Sequence, residues 1–163
     1  MSFPAHSLDL ARQVLARCEA GGLKLATAES CTGGLIIGCL TEIPGSSSVV
    51  NRGFVTYDNL AKEQMLGVPA STLAQVGAVS EETARAMAEG ARARADADLA
   101  IAVTGIAGPG GATPTKPVGL VHMALAMKGQ PTRHRREVFA GDRQAIRQAS
   151  VDAALDLALE ALR

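Results

Sequence analysis

The chain is poor in aromatic residues, since its 163 residues include no Trp, one Tyr and three Phe. Proteins that bind single-stranded nucleic acid usually stack bases on aromatic side chains, so this scarcity argues against that class. The core must instead be built from Ala, Val, Leu and Ile. A hydrophobic content of 47% is nevertheless too high for a disordered tail.

An excess of charge of one sign is also lacking. The 16 basic side chains balance the 16 acidic ones, so no overall field attracts DNA or anionic lipid. No apolar run reaches the roughly 18 residues of a membrane span. The N-terminus lacks the basic start and apolar stretch of a signal peptide. We expect a cytoplasmic protein with no nucleic-acid partner and no membrane partner.

Cysteine is scarce and has no metal-binding spacing. Cys18, Cys31 and Cys39 are odd in number and form no Cys-x-x-Cys pair. Neither a disulfide framework nor a zinc site is indicated. We expect no metal and no cofactor.

Length, periodicity and turn residues predict a single domain over residues 1–163. Helices are predicted from Ser7, as N-cap, to 20; over 33–42; from Asp58 or Asn59 to 66; from Ser80 to 95; and from Gly141-Asp142 to 162. Strands are predicted over 24–28, 49–57, 99–103, 117–127 and 133–139, and residues 67–78 are predicted as connecting chain. This order predicts an α/β fold, a three-layer α/β/α sandwich with a mixed, mostly parallel sheet of about five strands.

Three polar side chains fall at or just after the carboxyl ends of predicted strands. They are Ser30, Tyr57 and Thr104. Ligands of such sheets usually bind beyond the carboxyl ends of the strands. We therefore expect three separate segments to meet at one cleft.

The segment 26–34 places Ser30, Cys31 and Thr32 between a strand and the Gly33-Gly34 pair that opens a helix. One interpretation is that Ser30 caps the helix. The other is a nucleophile beside N–H groups that hold an oxyanion. The two roles need not compete, because the same exposed N–H groups can serve both. Cys31 is the rival nucleophile, since a helix N-terminus favours the thiolate.

A serine nucleophile needs a base, and no histidine lies in a suitable motif. His6, His122 and His134 are more typical of structural or solvated residues. Lys62 can serve as the base if burial or nearby cations depress its pKa, and Tyr57 could relay a proton or orient Lys62. The alternatives are a solvated helix lysine and an ordinary aromatic residue at a strand end.

The segment 105–111 contains four glycines in seven residues. Its composition resembles phosphate-cradling loops, but it lacks the Gly-Lys-Ser/Thr ending of a P-loop and the spacing of a dinucleotide site. The alternative is a long surface connection. Arg143 and Arg147 lie four residues apart at the start of the last predicted helix, where they could bind a phosphate or form a solvated face.

Several segments together resemble one family, in the same order along the chain. They are Ala28-Glu29-Ser30-Cys31-Thr32-Gly33-Gly34, Pro44-Gly45-Ser46-Ser47, Arg52-Gly53-Phe54-Val55-Thr56-Tyr57 with Asn59 and Lys62, Gly77-Ala78-Val79-Ser80, Thr104-Gly105-Ile106-Ala107-Gly108-Pro109-Gly110-Gly111, Lys116-Pro117-Val118-Gly119, and Phe139 with Gly141-Asp142-Arg143 and Arg147. This pattern resembles the C-terminal domain family of the competence/damage-inducible protein CinA. The family's single-domain members include nicotinamide-nucleotide amidase, also called NMN deamidase. We expect no further N-terminal domain of the kind CinA carries, and the nucleotide-pyrophosphatase activity linked to that domain is then not implied.

The resemblance implies a hydrolase of NAD metabolism that converts nicotinamide mononucleotide to nicotinate mononucleotide and ammonia. It implies Ser30 as nucleophile, Lys62 as base and Tyr57 as auxiliary. Residues expected to contact substrate are Thr32, Gly33, Gly34, Thr104, Gly105, Gly108, Gly110 and Arg143, although Thr113-Pro114-Thr115 lengthens the glycine segment. The partner is then a small-molecule nucleotide, and we expect a homo-oligomer. A different class of function is a non-catalytic module that binds a pyridine nucleotide as a signal in competence or DNA damage.

Overall fold

A mixed sheet forms the middle layer of the fold. The computed structural model describes residues 2–163. Within them the strands are Leu25–Glu29 (β1), Val50–Val55 (β2), Leu99–Gly105 (β3), Leu120–Met127 (β4) and Arg133–Val138 (β5). They lie in the order β2–β1–β3–β4–β5.

The first three strands in space are parallel and the last two form an antiparallel hairpin. β1 pairs in parallel with both β2 and β3, while β4 is antiparallel to β3 and to β5. The register pairs Glu29 of β1 with Val55 of β2 and with Val103 of β3. The carboxyl ends of β2, β1 and β3 therefore lie side by side at one edge of the sheet. The predicted α/β fold with a mixed five-stranded sheet is confirmed.

Helices cover both faces of the sheet. Within residues 2–163 they are Ala5–Ala20 (α1), Leu35–Thr41 (α2), Asn59–Leu66 (α3), Ala70–Val76 (α4), Glu81–Ala95 (α5) and Arg143–Ala161 (α6). Helices α1, α2 and α6 pack together on one face, and α5 covers the other face with α3 and α4 packed against it. No helix among these residues has both the length and the apolar character to cross a bilayer.

Two apolar clusters fill the spaces between the layers. The cluster under α1, α2 and α6 contains Val, Leu and Ile from β1, β3 and β4. The cluster under α5 consists largely of alanines, such as Ala28, Ala102 and Ala124. Small side chains allow α5 to approach the sheet closely, so Gly90 of α5 has no room for a Cβ against the Leu66 carbonyl of α3. The scarcity of aromatics is thus compensated by tight packing of small residues.

The predicted helix caps are confirmed in three cases. Side chains of Asp58, Ser80 and Asp142 accept hydrogen bonds from N–H groups in the first turns of α3, α5 and α6. Such caps satisfy N–H groups that have no partner inside the helix.

Other local predictions were wrong. Helix α1 begins at Ala5, with Pro4 as its N-cap, so Ser7 lies inside the helix, where it is buried and donates a hydrogen bond to Asp152 of α6. Helix α2 begins at Leu35 rather than at residue 33. The segment predicted as connecting chain contains α4, a short helix with Pro69 in place of a polar N-cap.

Candidate active site

Chain segments that leave β1, β2 and β3 surround a single cavity of about 280 Å³. Ser30 follows β1, Tyr57 follows β2, and Thr104 lies at the end of β3, and all three border this cavity. The topology explains the meeting, because the three strands are adjacent and parallel. The structure thus brings together the three polar residues that sequence patterns located at strand ends.

The most distinctive contact in the cavity joins a lysine to a serine. Nζ of Lys62 lies 3.1 Å from Oγ of Ser30. Lys62 is only 1% exposed and Ser30 is 8% exposed. Lys62 comes from the first turns of α3, where Asp58 caps the helix and sets its direction. The alternative of a solvated helix lysine is therefore wrong.

The surroundings of Lys62 favour its neutral amine. Burial lowers the pKa of Lys62 from its ordinary value of 10.5, against the smaller opposing influence of Asp58 and Cys31. Its ordered partners besides Ser30 are neutral backbone carbonyls, those of Thr56 at 2.8 Å and Asp58 at 3.5 Å. A neutral amine next to a hydroxyl is an arrangement that can accept the proton of that hydroxyl.

Helix capping at α2 is performed by Glu29 and not by Ser30. The fully buried Glu29 carboxylate accepts hydrogen bonds from the N–H groups of Ile36, at 2.8 Å, and Ile37, at 3.0 Å. It also accepts one from the hydroxyl of Thr32 at 2.7 Å. Capping by Glu29 leaves the hydroxyl of Ser30 free for Lys62, and it occupies N–H groups of the helix start that could otherwise hold an oxyanion.

Arg147 holds the 30–34 turn from the other side. Its Nε donates to the carbonyl of Cys31 at 3.1 Å and its Nη2 donates to the carbonyl of Thr32 at 3.0 Å. The guanidinium reaches the turn from α6, one of the helices packed on α2. Arg147 is therefore a structural partner of the turn, whereas sequence patterns left it between phosphate binding and a solvated face.

Cys31 borders the cavity but is a poor nucleophile. Burial raises the pKa of its thiol from the ordinary 9.0 to about 11, and the nearby charge of Glu29 adds to the increase. At neutral pH the thiol is protonated, and the thiolate is the reactive form. The expectation that a helix N-terminus favours a thiolate at Cys31 is wrong, because burial of the thiol raises its pKa.

Tyr57 contacts an arginine rather than the lysine. Its hydroxyl accepts a hydrogen bond from Nη2 of Arg143 at 2.9 Å, while Nη1 of Arg143 donates to the carbonyl of Gly108, also at 2.9 Å. The Tyr57 side chain is 61% exposed. Lys62 is oriented by backbone carbonyls instead of the phenol, so the structure gives no support to a proton relay through Tyr57. Arg143 joins the segments after β2 and β3 across the cavity mouth.

The glycine loop, residues 105–111, forms part of the cavity wall. At its start the buried Thr104 donates to the carbonyl of Ala78 at 2.8 Å. A Cβ at Gly105 would lie within 2.8 Å of β4 atoms, and Gly108 has a φ of +77°. Both positions therefore require glycine. Gly105, Gly108 and Gly110 all border the cavity, while residues 109–111 are exposed.

Three residues predicted to contact substrate do not border the cavity: Thr32, Gly33 and Gly34. Thr32 is fully buried and its hydroxyl is bound to Glu29. The N–H of Gly33 is used within the turn, where it donates to the carbonyl of Ser30 at 3.0 Å. The contacts of this turn with the cavity are therefore made by Ser30 and Cys31.

The histidines and possible metal ligands lie away from the serine. His122 and His134, on β4 and β5, pair with each other through ring nitrogens 2.9 Å apart. Within residues 2–163 no three His, Cys, Asp or Glu side chains are grouped so as to hold a metal ion. Lys62 is thus the titratable side chain bonded to Ser30.

Sequence patterns gave no site role to Glu29 or Asn59, and they did not predict that Arg147 binds the 30–34 turn. Asn59, at the start of α3, borders the cavity. A carboxylate at the end of an apolar strand that precedes a helix without a polar cap is a signal that could have identified Glu29. Arg147 offered no comparable signal, because its partners are backbone carbonyls 115 and 116 residues away in sequence.

Comparisons with known proteins agree with this architecture. A family model described as the CinA C-terminal domain matches residues 7–162. The chain is 51% identical over 155 residues to a CinA-like protein of Anaeromyxobacter sp. (strain Fw109-5), covering 95% of this chain and 38% of that protein. The chain belongs to the CinA C-terminal domain family, and it spans about 38% of the length of that relative.

Solved structures show the same fold. A competence/damage inducible protein, CihA, from Agrobacterium tumefaciens superimposes with a TM-score of 0.96 at 52% identity, over 99% of this chain and 98% of that one. A competence damage-inducible protein A from Klebsiella pneumoniae gives a TM-score of 0.91 at 39% identity, over 94% and 95% of the two chains. The resemblance of the sequence to the CinA family is confirmed.

Proposed function

We propose that this member of the CinA C-terminal domain family hydrolyses the carboxamide of nicotinamide mononucleotide, giving nicotinate mononucleotide and ammonia. The observation that carries the proposal is the buried contact between Nζ of Lys62 and Oγ of Ser30, 3.1 Å apart. A nucleophile within hydrogen-bond reach of a base that is itself oriented by a third group is the usual arrangement for acyl transfer. Here the third group is the backbone carbonyl of Thr56.

The reaction begins with proton transfer. Neutral Lys62 takes the proton of the Ser30 hydroxyl while Oγ forms a bond to the carboxamide carbon. The π electrons of the C=O bond move to oxygen, giving a tetrahedral oxyanion. The Lys62 ammonium then gives its proton to the amide nitrogen, the C–N bond breaks, and ammonia leaves with the bonding pair. An acyl ester on Ser30 remains.

Water completes the cycle by the same route. Lys62, neutral again, takes a proton from water as its oxygen attacks the ester carbon. The second oxyanion collapses, the bond to Oγ breaks, and Ser30 regains its proton from Lys62. The sum is amide plus water giving carboxylic acid plus ammonia, with both side chains restored.

Backbone carbonyls support Lys62 in both of its protonation states. The neutral amine has two N–H groups and one lone pair. The two N–H groups are directed to the carbonyls of Thr56 and Asp58, which leaves the lone pair for the Ser30 proton. The ammonium formed during the reaction has three N–H groups and three acceptors at the same positions. Proton transfer therefore requires little rearrangement of the site.

Arg143 and the glycine loop are suited to the ribose and phosphate of the nucleotide. Arg143 is exposed at the mouth of the cavity, where its guanidinium already touches the carbonyl of Gly108. A guanidinium binds phosphate well because its donors are planar and permanently charged. The loop brings the backbone of Gly105, Gly108, Gly110 and Gly111 to the border of the cavity, beside Ile106 and Ala107.

The test is the release of ammonia from nicotinamide mononucleotide by the purified chain. We expect Ser30→Ala and Lys62→Ala each to abolish release without loss of fold, as judged by circular dichroism. The matched controls are Ser47→Ala and Lys128→Ala, both on exposed side chains, and Cys31→Ala; all three should retain activity. Loss of activity in Cys31→Ala with retention in Ser30→Ala would show that the serine assignment is wrong.

Binding without turnover would contradict the enzymatic proposal. If calorimetry shows that wild type binds the nucleotide while no ammonia is released, the chain is a non-catalytic nucleotide-binding module. In that case Ser30→Ala should leave the affinity within about twofold, since the serine would then have no chemical role.

A further inference from the structure

We propose that Lys116 is a positioning residue that clamps the 76–79 segment to the glycine loop and thereby fixes the apolar part of the cavity, where the aromatic ring of the substrate binds. The assignment of a ring to this part rests on the proposed function. The clamp is a contact of the folded chain and does not depend on that function. Lys116 does not itself border the cavity, so it acts on a substrate through the residues that it holds.

The clamp is a hydrogen bond at the end of α4. Nζ of Lys116 donates to the carbonyl of Val76 at 2.6 Å. Val76 is the last residue of α4, and the last carbonyls of a helix have no partner inside it. The chain then turns at Gly77, which has a φ of +78°, and a Cβ there would lie 3.3 Å from Nζ of Lys116. The ammonium therefore lies against the point where the chain leaves α4.

The next two carbonyls of the segment are also bound by side chains. That of Gly77 accepts from the hydroxyls of Ser80, at 3.0 Å, and Thr83, at 2.7 Å. That of Ala78 accepts from the hydroxyl of Thr104 at 2.8 Å. These donors fix the segment to the start of α5 and to the end of β3. Its connection to the chain that follows the glycine loop is made by the lysine.

Residues 116–119 are in turn bound to the glycine loop. The N–H of Gly119 donates to the carbonyl of Ile106 at 2.8 Å. A Cβ at Gly108 would lie 2.6 Å from Val118, so the loop packs closely on that side chain. Lys116 thus links the 76–79 segment to the glycine loop. Two parts of the family pattern that the catalytic groups leave without a role, 77–80 and 116–119, are explained by this link.

The two linked segments supply the aliphatic side of the cavity. Ala78 and Val79 come from the first, and Ile106 and Ala107 come from the second. Within residues 2–163 no other aliphatic residue borders this cavity. Ligand pockets combine such apolar contacts with a few polar groups that orient the ligand. The planar ring of a nicotinamide is the part of the substrate that these residues suit.

A competing role for Lys116 is direct binding of an anion. With His122 and Arg136, Lys116 borders a second cavity, of about 550 Å³. The two roles differ in their dependence on substrate. Loss of the clamp should affect the nucleotide and the corresponding nucleoside equally, because both carry the ring. Loss of an anion-binding lysine should affect only the nucleotide, because the nucleoside lacks the phosphate.

The experiment compares Lys116→Met and Lys116→Arg with wild type and with Lys128→Met, a control on an exposed lysine. The readout without substrate is hydrogen exchange of the Gly77 N–H, which donates to the carbonyl of Leu73 in the last turn of α4. We expect this exchange to be about tenfold faster in Lys116→Met, because the end of the helix is released, with exchange in the sheet unchanged. Lys116→Arg keeps a charged donor and should stay close to wild type.

The kinetic readout is ammonia release from nicotinamide mononucleotide and from its nucleoside. We expect Lys116→Met to raise KM about tenfold for both, since ring contacts are lost in the ground state and the transition state alike. We expect kcat to stay within about threefold, because the contact between Lys62 and Ser30 is untouched. Lys116→Arg should restore KM, and Lys128→Met should match wild type.

Each outcome decides the inference. Unchanged exchange at Gly77 in Lys116→Met overturns the clamp whatever the activity. A rise in KM confined to the nucleotide, or a fall in kcat with KM unchanged, overturns the positioning of a ring. If wild type releases no ammonia, the proposed function fails, and exchange at Gly77 still decides the clamp. If Lys116→Met does not fold, Lys116→Gln is the second variant, and wild-type exchange and KM there overturn the inference.

Discussion

The two segments that follow the neighbouring strands β1 and β3 beside the cavity are held in different ways. The 30–34 turn follows β1, and the glycine loop follows the neighbouring parallel strand β3. Arg147 binds two carbonyls of the turn, and Glu29 binds two N–H groups at the start of α2, which follows it. The glycine loop is anchored at its base by Thr104, while Pro109, Gly110 and Gly111 are exposed. Side chains hold the segment with the proposed nucleophile, whereas the first half of the glycine loop is held at Ile106 and Gly108 and its tip is exposed to solvent.

The largest effect on activity is expected for Lys62, the proposed general base. Lys62→Met should reduce kcat/KM by about 10²–10⁴-fold, the usual contribution of a general base, while the apolar side chain still fills the buried space. Ammonia release measured by a coupled assay gives the activity. Lys128→Met, at an exposed lysine, is the control and should match wild type.

The Lys62→Met variant should also change how the free energy of unfolding depends on pH. The folded-state pKa of Lys62 lies below its ordinary value of 10.5, so between these two values the unfolded chain binds more protons. Stability due to Lys62 therefore rises with pH through this window. The buried thiols act oppositely, since the pKa values of Cys18, Cys31 and Cys39 are raised to about 11. Urea unfolding of wild type and Lys62→Met should isolate the lysine contribution, and a pH-independent difference would contradict it.

The next effect concerns the rigidity of the turn. Glu29→Gln leaves only one acceptor oxygen for the N–H groups of Ile36 and Ile37 and the Thr32 hydroxyl. A buried donor without a partner costs about 1–3 kcal/mol, so we expect that loss in the free energy of unfolding and about a tenfold lower kcat. Urea denaturation and steady-state kinetics measure the two.

The control for this variant is Glu42→Gln, on an exposed side chain just after α2. It should alter neither quantity. Full activity in Glu29→Gln would show that the turn does not need its carboxylate support.

A smaller effect, on KM rather than on kcat, is expected for Arg143 at the cavity mouth. Arg143→Gln removes the guanidinium at the cavity mouth and should raise KM about tenfold, which corresponds to about 1.4 kcal/mol, with kcat within about threefold. The corresponding nucleoside, which lacks the phosphate, should be hydrolysed equally by wild type and variant. A similar loss on the nucleoside would show that Arg143 does not act through the phosphate.

The smallest effect is expected at the tip of the glycine loop. A Cβ at Gly110 meets no atom within 4 Å, so Gly110→Ala should change the free energy of unfolding by less than about 0.5 kcal/mol. Gly105→Ala, at the base of the same loop, places a Cβ 2.7 Å from Val121 and should cost about 1–3 kcal/mol. Thermal unfolding measures both variants. Equal losses of stability in Gly110→Ala and Gly105→Ala would contradict a glycine loop that is open at its tip and closely packed where it leaves β3.

The sequence alone was sufficient for the features that depend on local patterns. The continuous apolar run of β3 and the caps at Asp58, Ser80 and Asp142 are signals carried by neighbouring residues. From them followed the five strands and the meeting of Ser30, Tyr57 and Thr104 at one edge. Helix α4 was missed because it is short and begins at Pro69 without a polar cap.

The parts of the site that could not be predicted from the sequence depend on contacts between distant segments of the chain. The pairing of Arg147 with the turn spans more than one hundred residues, and the burial that lowers the pKa of Lys62 arises only after α3 packs on the sheet. Thr32 was expected to contact substrate on the basis of the family resemblance. In the folded chain Glu29 engages that hydroxyl and buries it.

The central claim is that a neutral, buried Lys62 activates Ser30, and the pH dependence of kcat/KM for ammonia release tests it most directly. A base acts only when deprotonated, so we predict that activity rises with pH to a plateau, with a midpoint below the ordinary lysine value of 10.5. Lys62→Met should lack this rise in its residual activity. A wild-type profile that is flat, that falls through this range, or that is unchanged in shape by Lys62→Met would contradict the claim.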